Sequence, residues 1–554
     1  MTSRPFLVEG NEDHRKPQVI ANHSIVRNGL SLVATVKLLC DSRQADSLHS
    51  IFSIKKEVRS LSDRPKVGME SSGPEETGGA ELARGRLVDL SLPSALRRLG
   101  LPVLIEQLLA LLVGFVDTYL TGHFLSDGHL AAAGMSAYLL WGVSSLFATL
   151  SIGATARMAQ LIGAQQWDEA RRTTQQVLGV AFVAGVGIAI LGAIYLEPLV
   201  RLLGLQGVAS IAAQQYIAMM LWVLPAMAIL QVGNALLRGA GDTSTGLWIY
   251  SGVNLINASL SYLLVAGVPG FPNLGWHGVV LGTAIGYMLG GLAIAGLLIK
   301  GWRGLRWNPL AVDRDGRPIQ EVLAIGIPGG IDMMLTVGCQ LWFVALINRL
   351  GTLASASHGL AIRIEAIAYL PCQAFSIATM TLVGQLLGAG QIDRAHRTTW
   401  RILLGAMAMM AFVSLMFLLF SDPLAGSLVG PGHPQTKQIS AGLLRTVAWG
   451  LPWLAVIQVL AAAMRGSGKT KIPLWISLFS FLVVRIPLTY WSATEPTGPF
   501  VGPTWLHSFQ GQGVQGAWYA MLADLTVRAA LFAIAFRMVT LQPPDRPLPL
   551  TSGN

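Results

Sequence analysis

From Thr243 to Ile299 the chain carries no Asp, Glu, Lys or Arg, and the same holds between Arg201 and Arg238 and between Arg401 and Asp422. Each stretch is long enough for the roughly 20 apolar residues that a helix needs to cross a bilayer. In lipid every backbone N–H and C=O must be satisfied within the protein, so runs of this kind restrict the fold to a bundle of spanning helices. Composition agrees: only 12% of the 554 residues are charged and 52% are hydrophobic, whereas a soluble domain is about one-quarter charged. The formal net charge of +10 would suit nucleic acid. From Arg97 onward, however, the basic residues sit in short loops between apolar segments, which points to a membrane surface and away from a nucleic-acid partner. Three scattered cysteines, Cys40, Cys339 and Cys372, form neither a disulfide framework nor a zinc site.

Apolar runs between loop signals place six spans near 101–123, 133–157, 174–196, 209–233, 245–266 and 277–299. Six more follow near 321–348, 355–385, 400–421, 441–464, 472–493 and 514–538. Residues 1–90 are polar and mixed in charge, as in GMESSGPEETGGAELARGR, and read as a disordered cytoplasmic tail, with Met69 an alternative start. Residues 91–305 then form one lobe with spans 1–6, residues 306–540 a second with spans 7–12, and 541–554 a cytoplasmic C-terminal tail. With the N-terminus inside, the loops on that side carry Arg171, Arg172, Arg238, Lys300, Arg303, Arg306, Arg314, Arg317, Arg394, Arg397, Arg465, Lys469 and Lys471. The opposite loops carry only Arg201, Arg349 and Lys437. This asymmetry predicts a multi-pass protein of the cell's inner membrane with both termini cytoplasmic.

The two sets of six are copies. Pro102 and Glu106 recur as Pro328 and Asp332, LIGAQQWDEARRTT from 161 recurs as LLGAGQIDRAHRTT from 386, LRGAGDT from 237 recurs as MRGSGKT from 464, and Pro225 pairs with Pro452. An even number of spans per unit makes the copies parallel, related by an axis along the membrane normal.

Ionisable groups inside spans are costly and therefore mark function by default. Asp117 lies well inside span 1, and Glu106, eleven residues earlier, falls on nearly the same helix face. Such a stripe can hold a proton or coordinate Na⁺ through oxygen ligands; the plainer reading of Glu106 is a solvated acid near the water interface. Asp332 is its counterpart in the second copy. In span 8, His358 and Glu365 share a face seven residues apart, as a proton relay or as an internal packing pair. Asp524 and Arg528 have the spacing of a helical ion pair, with Arg485 as a third member. Asn257 and Gln458 are interior polar groups whose commoner use is interhelical hydrogen bonding. A phosphate-cradling loop is absent, since the glycine required ahead of Lys469 and Thr470 is missing, so ATP is not the expected driver.

These motifs resemble the multidrug and toxic compound extrusion (MATE) transporters. The resemblance is carried by GFVDTYLTG from 114, MAQLIGAQQWDEA after span 2, LRGAGDTSTG after span 4 and NASLSYLLVAG from 257. The second half adds ASHGLAIRIEAIAYLP from 356, TLVGQLLGAGQIDRA from 381, MRGSGKTKIP from 464 and VRIPLTY from 484, so that residues 90 to 540 are covered. It implies an all-α membrane fold, two six-helix lobes facing a central cavity, and efflux of cationic or amphipathic compounds driven by H⁺ or Na⁺, without a cofactor. Asp117 matches the family's first-helix aspartate and Asn257 a fifth-helix asparagine near it, while a partner aspartate of some members is Ser261 here. Members with a different cation site use acids in the seventh and tenth spans, and the tenth span here has none, which places the expected site in the N-lobe as in the bacterial DNA-damage-inducible branch. The chain is then expected to act as a monomer in the bilayer on small organic substrates, with Na⁺ at Asp117 the only candidate metal. The alternatives are a lipid-linked oligosaccharide flippase of the same superfamily, a membrane-embedded enzyme, or a non-transporting receptor.

Overall fold

The computed structural model describes residues 87–202, 207–309, 311, 315–428, 433–493, 511–539 and 541. The expectations for the stretch before Leu87, for the start at Met69, for Cys40 and Arg314, and for residues 542–554 lie outside them. Twelve helical spans succeed one another, and no strand occurs among the described residues. The first six are α1 (Leu92–Phe124), α2 (Asp127–Gly163), α3 (Trp167–Ile194), α4 (Gly207–Gly239), α5 (Ser244–Val265) and α6 (Trp276–Ile299). The second six are α7 (Arg317–Arg349), α8 (Thr352–Gly388), α9 (Ile392–Leu428), α10 (Pro434–Ala448 continued by Leu451–Gly466), α11 (Lys471–Ala493) and α12 (Gly513–Met538).

Nine of these helices and the bent pair forming α10 are long and apolar enough to cross a bilayer. One that falls short of that measure, α5, does so because Asn254, Asn257, Ser259 and Ser261 interrupt its apolar run, and the site described below is built on it. Several helices outrun their apolar runs. The span expected at 133–157 is Asp127–Gly163 and that expected at 400–421 is Ile392–Leu428, because amphipathic turns extend each helix beyond its lipid-facing part. The halves of α10 meet at 49°: Pro452, at the start of the second half, lacks the N–H that would continue the ladder.

The two lobes meet at the end of the bundle where α1 begins and α12 ends. Gln160 of α2 donates to the carbonyl of Gly466 at 2.9 Å, and its repeat-equivalent, Gln385 of α8, donates to the carbonyl of Gly239 at 3.1 Å. Close approach requires glycine here. A Cβ on Gly163 would stand 2.1 Å from the Gln385 carbonyl oxygen, and one on Gly388 2.0 Å from that of Gln160. The cores are exchanged across the same seam. Leu87, Val88, Ala95 and Leu99, ahead of and in the first turns of α1, pack into the hydrophobic cluster of the second lobe, while Val322 of α7 packs into that of the first. Leu87 and Val88, in a 3-10 turn spanning Leu87–Asp89, are already buried.

Candidate functional site

On α6, Gly278, Gly282, Gly286 and Gly290 recur every four residues and form one smooth stripe. Against it lie Leu264, Ser261 and Val253 of α5, so closely that a Cβ on Gly282 would sit 2.0 Å from Ser261 Oγ. This close packing brings Asn257 Nδ2 within 2.8 Å of Thr283 Oγ1. Both groups close on the carboxylate of Asp117 in α1: Thr283 Oγ1 donates to Oδ2 at 2.9 Å and Asn257 Nδ2 to Oδ1 at 3.2 Å. Asp117 is 8% exposed, and among the described residues no cation pairs with it. Asn257 Oδ1 is buried without a hydrogen-bond partner. A carboxylate, a hydroxyl and an amide N–H group thus converge from three helices, so the carboxylate is held by neutral groups and can take up a proton or a hard cation. Beside it, Leu112, Phe115, Val116 and Tyr119 of α1 and Ala258 and Tyr262 of α5 line an open apolar groove, of which Asp117 itself is not a wall.

The other expected residues are distributed differently. Ser261 is buried, yet it donates to the carbonyl of Val279 at 3.3 Å and does not reach Asp117. Glu106 is 1% exposed and not the solvated acid of the plainer reading: it is ion-paired with Arg238 and accepts a hydrogen bond from Asn234 Nδ2 at 2.8 Å, both from α4. It therefore belongs to a separate site, about 16 Å along α1 from Asp117 at 1.5 Å per residue. The second copy repeats the device, with Arg465 Nη2 2.6 Å from Asp332 Oδ2. Arg238 and Arg465 accordingly lie in helices, not in the loops where their charge suggested they would be.

In α11 the segment Ser480–Arg485 winds as a π-helix. That wider turn swings residues five apart onto one face, so Ser480 Oγ donates to Asp524 Oδ1 at 2.5 Å while Arg485 Nη1 lies 3.7 Å from Oδ2. Arg528 pairs with the same carboxylate, Arg485 also donates to Gln340 Oε1 at 2.9 Å, and its guanidinium lies 4.8 Å from the centre of the Phe343 ring. His358 and Glu365 are not brought together. His358 Nδ1 accepts from the indole of Trp518 at 3.1 Å, and Glu365 forms no hydrogen bond or ion pair among the described residues. Gln458 donates to the Tyr369 hydroxyl at 2.7 Å.

Outside the spans, Asp242 follows Gly241, whose φ of +88° makes the tight turn after α4. Burial tends to raise its carboxyl, but hydrogen bonds from the side chain and backbone of Thr245, and the adjacent Arg303, outweigh that and hold it below the usual carboxylate range.

Sequence reasoning found Asp117, Asn257 and the Arg485–Asp524–Arg528 group but missed Thr283, Asn234 and the pair Gln160 and Gln385. For the two glutamines a signal existed, since Gln-Leu-aliphatic-Gly-Ala opens both copies of the repeated motif, at 160–164 and 385–389. Thr283 left none, as a threonine within an apolar helix is common.

The family model described as MatE matches the chain twice, over residues 102–263 and 328–491, which coincide with the two repeats. A probable multidrug resistance protein NorM of Thermotoga maritima is 26% identical over 440 residues, covering 79% of this chain and 91% of its own. An FAD transporter of Shewanella oneidensis is 26% identical over 411 residues, covering 73% and 89%. Among solved structures, a MOP superfamily transporter from Pyrococcus furiosus superposes with a TM-score of 0.73 at 20% identity over 82% of this chain and 96% of that one. An outward-facing multidrug resistance MATE family transporter gives 0.72 at 20% identity over 85% and 98%. At such identities these two establish the fold.

Proposed function

Because this chain belongs to the MatE family, whose model matches both of its halves, we propose that it exports small organic cationic or amphipathic compounds in exchange for H⁺ or Na⁺ by alternating access. It is a multi-pass membrane transporter of the secondary type, not an enzyme. The observation that carries the reading is Asp117, an acid in the middle of a span held by neutral donors alone. A buried carboxylate without a counter-charge is costly as an anion and is relieved by taking a proton or a cation. For Na⁺, Asp117 and Thr283 Oγ1 would supply oxygen ligands, and a turn of the Asn257 amide would bring its unpartnered Oδ1 to the same ion.

Occupancy of Asp117 then feeds directly into packing, since its partners lie on α5 and α6 and its own helix packs by its first turns on the opposite lobe. Proton or Na⁺ uptake loosens the hold of Asn257 and Thr283 on α1, biases the N-lobe and releases the substrate. The return step opens the seam held by Gln160 and Gln385, on the side read from the charge asymmetry as cytoplasmic. The purified full chain in liposomes tests this, with H⁺ and Na⁺ gradients imposed separately and either a fluorescent cationic dye or FAD as cargo, the latter because one relative carries that name. Gradient-driven movement of the dye is the expected result; movement that ignores both gradients would refute antiport.

A further inference from the structure

The two repeats use one helix face in different ways. On α3 that face carries Glu169, Arg172 and Gln176, and the last two meet the segment joining the lobes. The Gln176 side chain accepts from Ile319 N at 3.0 Å, Arg172 Nη1 lies 3.8 Å from Asp315 Oδ2, and neighbouring Gln175 donates to the carbonyls of Asn308 and Ala311 at 2.6 and 2.7 Å. The repeat-equivalent residues of α9 are Arg394, Arg397 and Arg401, so an acid, an arginine and an amide have become three guanidinium groups. Spaced three and four residues apart, they fall on one side of α9 over about 10 Å of its length.

Among the described residues none of the three is paired with an acid. Arg394 donates to Gln391 Oε1 at 3.0 Å and to the Leu90 carbonyl at 3.4 Å, and Arg397 Nε to the Asp393 carbonyl at 3.3 Å. Two exposed acids close by, Asp393 beside Arg394 in sequence and Asp89 beside the wall residue Leu90, form no salt bridge with them. The three arginines line a cavity of about 470 Å³ whose other walls include Leu87, Leu90 and Leu386. It lies at the end of the bundle where α1 begins.

We propose that this cavity holds the headgroup phosphate of an anionic phospholipid. The row of guanidinium groups matches a phosphate, and basic pockets between helices at a membrane surface take lipid headgroups in this way. The accessible apolar walls, Leu90, Leu92 and Pro93, decide between a lipid and a free anion, because an acyl chain has a use for them and inorganic phosphate has none.

Native mass spectrometry of the purified full chain, titrated with phosphatidylglycerol, phosphatidylcholine or inorganic phosphate, tests the assignment. Neutralising one surface arginine is expected to weaken retention about fivefold, so R401Q, whose exposed side chain makes no hydrogen bond that folding needs, loses about fivefold in phosphatidylglycerol binding. The R394Q/R397Q/R401Q variant loses more than about tenfold, and R394K/R397K/R401K, which keeps the charge, stays within about twofold of wild type. Phosphatidylcholine binding is unchanged throughout. Equal phosphatidylglycerol binding by wild type and R401Q overturns the proposal, and so does displacement of phosphatidylglycerol by inorganic phosphate alone, which would make the cavity a site for free anions.

Discussion

The two lobes share one fold and solve opposite electrostatic problems. In the first, Asp117 stands in the middle of α1 with only Thr283 and Asn257 for company. At the repeat-equivalent position of α7 the second lobe has Phe343, whose ring lies beneath the Arg485 guanidinium, and its buried acid, Asp524, is instead enclosed by Arg485 and Arg528. An acid between two cations has little to gain from a proton. One held by neutral groups has much, so Asp117 is a chargeable site in the first lobe and Asp524 a fixed one in the second, where Glu365 of α8 is left unpaired among the described residues. Nearer the seam the lobes remain alike, with Glu106–Arg238 answered by Asp332–Arg465.

The sharpest way to break this comparison is at the fixed charge. Asp524→Ala strands two buried guanidinium groups and is expected to cost about 3–5 kcal/mol, read as loss of folded protein or a large drop in Tm. If thermal unfolding of that variant matched wild type, the fixed-charge reading of the second lobe would fail. A smaller loss, about 2 kcal/mol, is expected for Glu106→Gln and for Asp332→Asn, because Arg238 and Arg465 keep partial access to solvent. The symmetry claim is that these two losses agree; a thermal-shift difference well beyond 1 kcal/mol between them would show the seam to be asymmetric.

The smallest effect is at the loop. Asp242 lies where the second copy has Lys469, and its lowered carboxyl contributes stability that is present above the unfolded value of about 3.9 and lost as pH falls through the folded value below that. Asp242→Asn should therefore lower Tm at neutral pH and flatten the acid limb of the Tm-against-pH curve, the two proteins converging as pH falls below the folded value. An unaltered acid limb would show that this carboxyl has no part in it.

The acids were legible in the sequence because a charge in an apolar run is conspicuous, and the duplication because it repeats at nearly constant spacing. Their surroundings were not. Glu106 read equally as a solvated group since nothing local announces that Arg238, more than a hundred residues later, ends α4 against it. Thr283 reaches Asp117 only because the glycine stripe of α6 sets the distance to α5. The π-turn that aims Ser480 and Arg485 at one carboxylate has no compositional signature. Helix identity follows from local pattern, whereas partners follow from how helices cross.

The central claim, that the uncompensated acid of the first lobe carries the coupling, is tested most directly by gradient-driven dye exchange in proteoliposomes of Asp117→Asn beside wild type. An amide is isosteric with the carboxylate and keeps hydrogen bonds to its neighbours, so the unfolding free energy should stay within about 1 kcal/mol of wild type, while exchange driven by H⁺ or Na⁺ falls to the level of empty liposomes. Undiminished gradient-driven exchange by a well-folded Asp117→Asn protein would contradict the account.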